Sequence, residues 1–316
     1  DFFMKKIILP FALLFFLFFL LLFPSQAFSY AKAGLMLWFY TLLPSLLPFM
    51  ILSNICIKTG VLDKLFEAPK KFWKKVFALS PSGAYALCMG IFCGYPMGAK
   101  ITADLYIEHC ISKEEASYLL TFACFPGPSF LSSYLCVGLF KNTHLIFPTY
   151  FILYSSGFLC SFLFRPKKNT EFPYLEKKKK EISSSDFLGE ILDTSIMNGF
   201  ETITKLGGYI LIFSILQGIS SIIFRSFPIL SYFLQGLTEM TTGNAALSKA
   251  PWEFDFLYPL ILAFTSFGGL SVAAQTKSML ANTDLPFFSY IKGKLCSFVC
   301  TFIIAFCLVK IVKVII

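Results

Sequence analysis

A chain of 316 residues that is 56% hydrophobic and only 14% charged, with a mean hydropathy of +0.72, is not composed like a water-soluble domain. Its formal net charge of +9 is carried by lysines in the loops between apolar runs, so it reads as a topology determinant and not as the footprint of a nucleic-acid partner. Forty phenylalanines, in runs punctuated by Gly and Pro, suit a backbone that must satisfy its own hydrogen bonds inside lipid. The expected fold class is therefore all-α: a polytopic membrane protein with about nine membrane segments, some of them broken or re-entrant.

At the N-terminus, Met4-Lys5-Lys6 has the look of a translation start, which leaves Asp1 to Phe3 without weight. The run Ile7 to Phe23, between two lysines and Ser25-Gln26-Ala27, has the three-part layout of a signal peptide. Further membrane segments follow at once, so an uncleaved first transmembrane helix over 7–23 is the favoured reading. The other predicted segments are 34–57, 84–107, 115–138, 146–164, 203–224, 229–248, 257–280 and 295–315.

Four of these are interrupted. Segment 84–107 contains Gly90, Gly94, Pro96 and Gly98 and ends in Lys100 and Asp104; 115–138 contains Phe125-Pro126-Gly127-Pro128-Ser129. Segment 229–248 carries Glu239-Met240-Thr241-Thr242-Gly243-Asn244, and 257–280 carries Phe267-Gly268-Gly269-Leu270-Ser271. Broken, polar backbone survives at membrane depth only where protein or a water-filled cavity covers it. The loops 58–83 and 165–190 are both lysine-rich and should both be cytoplasmic. Three segments between them would leave them on opposite sides, so one segment enters and returns; 84–107 is assigned that role, with 115–138 the competitor.

The interruptions repeat. The pattern F-x-G-x-S at Phe125 to Ser129 recurs at Phe267 to Ser271, and Gly90 and Gly98 pair loosely with Gly236 and Gly243. The same order of elements starts outside in the first half and inside in the second. This is the pattern of an inverted repeat, an architecture that puts a substrate site where the broken helices meet.

Charges within a membrane segment are costly and tend to face a cavity and a partner. Lys100 and Asp104 stand one helical turn apart and can pair with each other. Just beyond the break at Gly94, Tyr95, Pro96 and Gly98, Lys100 also offers a cation to an anionic solute near exposed helix N–H groups. Glu239, Thr241, Thr242 and Asn244 form a polar cluster in the second half, and Ser271 and Gln275 add hydroxyl and amide groups. Such groups suit a heteroaromatic or carboxylate solute or the coordination of a coupling cation, and equally serve as glue between helices. Ser129 can be imagined as an intramembrane nucleophile, but His109 and His144 are the chain's histidines, and no catalytic or phosphate-loop motif is present. No catalytic residue and no cofactor is assigned. Cys56, Cys88, Cys93, Cys124, Cys136, Cys160, Cys296, Cys300 and Cys307 fall in apolar stretches without C-x-x-C pairs and read as small buried residues, so no metal site is assigned.

Leu37-Trp38, Leu43-Pro44-Ser45-Leu46-Leu47-Pro48-Phe49, Gly94-Tyr95-Pro96-Met97-Gly98-Ala99-Lys100, Glu239-Met240-Thr241-Thr242-Gly243 and Phe267-Gly268-Gly269-Leu270-Ser271-Val272 with Gln275 together resemble the YlbJ-like sporulation integral membrane proteins. These belong with the nucleoside-recognition (gate) domain proteins. The resemblance runs from about residue 30 to 295. It implies a signal-anchor at 1–30, a first gate-like repeat at 31–164, a basic cytoplasmic loop at 165–190 and a second gate-like repeat at 191–316. It also implies a role in endospore formation, moving dipicolinic acid in the membrane between mother cell and forespore. The expected partners are a small solute (a dipicolinate-like anion or a nucleoside), the bilayer, and a second copy of the chain. A permease for another metabolite and a non-transporting scaffold of the spore envelope are the alternatives.

Overall fold

A computed structural model describes residues 9–59, 66, 69–166 and 187–315. Lys5, Lys6, Lys64, Lys167, Lys168 and Lys177 to Lys180, on which part of the topology argument rests, lie outside the described residues. Every regular element among the described residues is a helix. They are α1 (Leu9–Leu22), α2 (Pro24–Leu37), α3 (Leu43–Thr59), α4 (Lys70–Phe77), α5 (Pro81–Cys93), α6 (Met97–Ile107), α7 (Lys113–Phe122), α8 (Ile146–Leu163), α9 (Phe187–Ile223), α10 (Pro228–Thr238), α11 (Met240–Leu247), α12 (Phe254–Phe267), α13 (Gly269–Met279) and α14 (Phe287–Ile315). Wider π-helical turns join α2 to α3 at Trp38–Leu42 and run over Phe130–Leu139.

The count of nine segments is not reproduced. Four helical stretches among the described residues are long and apolar enough to cross a bilayer, or up to six if two sharply bent pairs each count as one. Apolar length alone misses the bends. At Pro24 the chain turns by 105° between α1 and α2, because proline starts a helix readily but cannot continue one. Between α4 and α5 it turns by 73°: Ala78 closes α4 in the left-handed region (φ 53°), and Ser80 with Pro81 opens α5.

Segment 84–107 folds as the notched sequence suggests, with α5 and α6 packed on each other across Gly94–Pro96. Their arms touch at glycine. A Cβ on Gly98 would lie 3.3 Å from Gly90 Cα, and one on either residue would run into the Ala123 carbonyl. The helices α10 and α11 make a second hairpin around Glu239, with a Cβ on Gly243 only 2.7 Å from Gly236 Cα. Small residues allow this close approach of backbones. The helices α7 and α12 instead continue past their breaks, at Ala123–Ser129 and at Gly268, into the π-helical stretch and α13.

The local capping ties these parts together. Ser112 caps α7 by accepting from Glu115 N–H (3.2 Å), the Ser-x-x-Glu arrangement of a capping box. The Glu115 carboxylate, fully buried, does not close that box; it accepts from Ser80 N–H at 2.7 Å, at the start of α5.

Three apolar clusters surround this frame: one among α3, α5, α6 and α7, one among the π-helical stretch, α8 and α12, and a smaller one joining α1, α2 and α9. The 37-residue α9, roughly 55 Å long, exceeds a hydrocarbon thickness of about 30 Å. Its Gly199, Gly207, Ser214 and Gly218 form one stripe against Leu47 and Ile51, the Trp38 ring, Gly34 and the Tyr30 ring in turn. Phe11, Phe18, Phe147 and Phe162 stay exposed on the outside, as lipid contact requires.

Candidate functional site

The breaks meet pairwise. Gly94 (φ 81°) turns the first hairpin in a conformation open to glycine, and a Cβ there would sit 2.5 Å from Gly127 N. The first hairpin tip thus lies on the break after α7. In the second half, a Cβ on Gly269 (φ 75°) would lie 3.2 Å from Leu237 O and 3.3 Å from Met240 N, so the second hairpin tip lies on the break after α12.

Where the first tip meets the ends of α7 and α12 lies a side chain that the predicted site does not include. The Lys294 ammonium of α14, whose side chain is 4% exposed, donates to the Tyr95 hydroxyl (2.8 Å), to Ser266 O (3.0 Å) and to Cys124 O. It also lies 4.2 Å from the centre of the Tyr95 ring. Tyr95, across a cis Tyr95–Pro96 bond, donates in turn to Ser266 O at 2.6 Å. The fit depends on Gly293, where a Cβ would come within 2.6 Å of Thr121 Cα; its absence lets α14 lie directly on the α7 backbone. Predicted segment 295–315 begins one residue too late to include Lys294. The signal is the lysine that follows the glycine in Lys292-Gly293-Lys294, at the head of an apolar run.

Of the predicted site residues, Gly94, Tyr95, Pro96 and Gly98 lie at or beside this crossing. Asn244 of α11 joins it indirectly by donating to Thr265 Oγ1 (2.8 Å), while its own Oδ1 is buried without a partner. Glu239 caps α11 by accepting from Thr242 N–H and Thr242 Oγ1, both at 2.7 Å, and Thr241 O accepts from Tyr134 (2.6 Å). Ser271 and Gln275 bond to each other at 3.1 Å on α13, and Ser129 is exposed at the start of the π-helical stretch.

Lys100 and Asp104 belong to a different place. They wall a cavity of about 310 Å³ among α3, α6, α9 and the end of α13. There Lys100 makes two bonds to the Asp104 carboxylate, at 2.6 and 2.7 Å. Lys58, Glu108, Glu201 and Lys205 add two positive and two negative charges, and Asn54 and Asn198 bring amides within 3.4 Å of each other. The first part of α9 precedes predicted segment 203–224, so Asn198 and Glu201 lie outside the predicted spans, and Lys205 gains its significance only beside them. Elsewhere, Cys160 of α8 meets Cys296 and Cys300 of α14, their thiols within 4.8 Å of one another. This is the group of side chains among the described residues close enough to share a metal ion, a convergence that linear spacing conceals.

A helical frame with apolar outer surface, helices broken by Gly and Pro, and charges held at those breaks and in one cavity defines an integral membrane protein with a polar interior. The chain is similar to the sporulation integral membrane protein YlbJ of Bacillus subtilis (strain 168), 27% identical over 298 residues that cover 84% of this chain and 73% of the relative. It is thus YlbJ-like, in agreement with its motifs. No family model matches the chain. No solved structure matches it either.

Proposed function

We propose that this chain is a permease that moves a small anionic or heteroaromatic solute by alternating access, with dipicolinate during sporulation as its substrate. The cavity between α3, α6, α9 and α13 carries the reading. Its volume of about 310 Å³ sits at the lower end of the roughly 300–1,000 Å³ usual for small-molecule sites, and its wall brings Lys58, Lys100 and Lys205 to one space. A pyridine dicarboxylate needs such cations together with amide donors, which Asn54 and Asn198 supply. In this proposal the chain comprises two gate-like halves, 31–164 and 191–316, threaded in opposite senses. Each has one hairpin and one broken helix, and Gly94 to Gly98, Ser129, Glu239 to Asn244, Ser271 and Gln275 serve the breaks between which the halves move. The relative's name supports the sporulation setting.

Each lysine of the cavity has a neutral or acidic neighbour: Lys100 the Asp104 carboxylate, Lys205 Glu201 at 2.5 Å, Lys58 the Thr194 hydroxyl at 2.6 Å. That balance favours, as a second reading, an uncharged heteroaromatic solute such as a nucleoside. Proteoliposomes carrying the purified chain decide between them. Saturable accumulation of labelled dipicolinate, lost in Lys100→Met, is the expected result. Accumulation of nucleoside alone transfers the function to the second reading, and accumulation of neither refutes transport of both.

A further inference from the structure

We infer that the crossing of the broken helices is a monovalent-cation site whose occupant is the protein's own Lys294 ammonium. The inference stands on the geometry around that side chain and does not depend on the permease reading.

Two of the oxygens that hold the ammonium, those of Cys124 and Ser266, are backbone carbonyls in equivalent places. Each belongs to the residue immediately before the Phe of an F-x-G-x-S motif, one in each half of the chain. Both stand at the C-terminal end of a helix, α7 and α12, where the carbonyls carry partial negative charge and have lost their helical partners. The reason is explicit in the first motif. The residue four beyond Cys124, which would donate to its carbonyl in a continuing helix, is Pro128, and proline has no N–H. In the second, Gly268 and Gly269 at φ 84° and 75° end the helix. Two helix C-termini aimed at one point, with the Tyr95 hydroxyl as third oxygen and its ring at 4.2 Å, make a shell of the kind that unwound membrane helices present to small cations.

The three donors of the ammonium match those three acceptors, so the shell is satisfied from within. The free space beside it, about 10 Å³, is the size of one water molecule and leaves no room for a second ion. The positive charge is therefore fixed at the junction of the two halves. It cannot be released to solvent as a sodium ion could, and it pins the Cys124 and Ser266 helix ends to each other.

The test measures thermal unfolding of the detergent-purified full chain at constant ionic strength in choline, sodium or methylammonium chloride. Wild type is expected to melt at the same temperature in all three. Lys294→Ala, which empties the shell, is expected to melt lower in choline and to regain about 3 °C or more, saturably, in sodium or methylammonium. If the alanine variant cannot be recovered in choline, recovery only in the presence of a small cation supports the inference, and failure in every salt overturns it. It is also overturned if wild type is selectively stabilised by sodium, if Lys294→Ala melts like wild type, or if no small cation distinguishes itself from choline. Lys294→Met, of similar length but with no charge to offer, is expected to melt below wild type and to ignore the cation; a methionine variant as stable as wild type rejects the proposal. Because no solute is added, failure here leaves the transport reading untouched, and failure of transport leaves this result standing.

Discussion

Replacing Gly243 by alanine puts the second hairpin to a direct test. The three atoms nearest the new Cβ would all be backbone, the Gln235 carbonyl oxygen first and then Gly236 Cα and the Gln235 carbonyl carbon, each at 2.7 Å. Carbon atoms rest about 3.5–4.0 Å apart, so α10 and α11 must separate by about 1 Å, and no rotamer change can relieve the contact. Overpacking of this sort costs about 1–3 kcal/mol. Alanine returns about 0.8–1 kcal/mol through its higher helix propensity, leaving a net loss of up to about 2 kcal/mol and a melting temperature a few degrees lower. Gly208 in α9 is the control: a Cβ there would have no neighbour within 4 Å, so Gly208→Ala should show the propensity gain alone. Unfolding can be followed with a thiol-reactive fluorophore, since Cys93, Cys110, Cys124, Cys136 and Cys160 are buried and become reactive as the fold opens. A Gly243→Ala protein that melts at or above Gly208→Ala would refute the close crossing.

Asp104→Asn leaves Lys100 facing the cavity without its carboxylate; with side chains only 12% and 18% exposed, the loss is expected near the lower end of the 3–5 kcal/mol typical of a broken buried pair. The double variant Lys100→Met/Asp104→Asn should recover part of that stability in the same assay, and a double variant worse than the single one contradicts the pairing. On the surface, hydrogen bonds from Lys113 and then Tyr106 hold the Asp284 carboxyl below its ordinary range. Its contribution is therefore fully present above the ordinary carboxylate range and fades as pH falls through the lowered value. Asp284→Asn should accordingly melt slightly below wild type at neutral pH and converge with it in strong acid; a difference that widens in acid counts against the contact.

The breaks were legible in the sequence because glycine and proline act locally. Helices end at Gly94, Pro96, Gly268 and Gly269, where Gly and Pro cluster, whereas the isolated Pro48 and Pro259 lie inside α3 and α12. The number of spans was harder to read, since hydropathy measures length but cannot register a 105° turn at Pro24. The polar interior was legible only in part. Lys100 and Asp104 announce themselves as a pair four residues apart on one helix. Lys294, by contrast, acquires its meaning from Tyr95, Cys124 and Ser266, which are 199, 170 and 28 residues away. Glu239 reads from the sequence as a member of a polar cluster, and the structure adds that its carboxylate caps α11, a contact that spacing alone does not announce.

The Glu115 carboxylate reaches past its own helix to the amide of Ser80, and so fastens the opening turn of α7 to the opening turn of α5. One side chain thereby yokes the entrance of the first hairpin to that of the first interrupted helix. Drawing those two turns apart would break that bond and strand a buried carboxylate oxygen without its amide donor, a cost that opposes their separation.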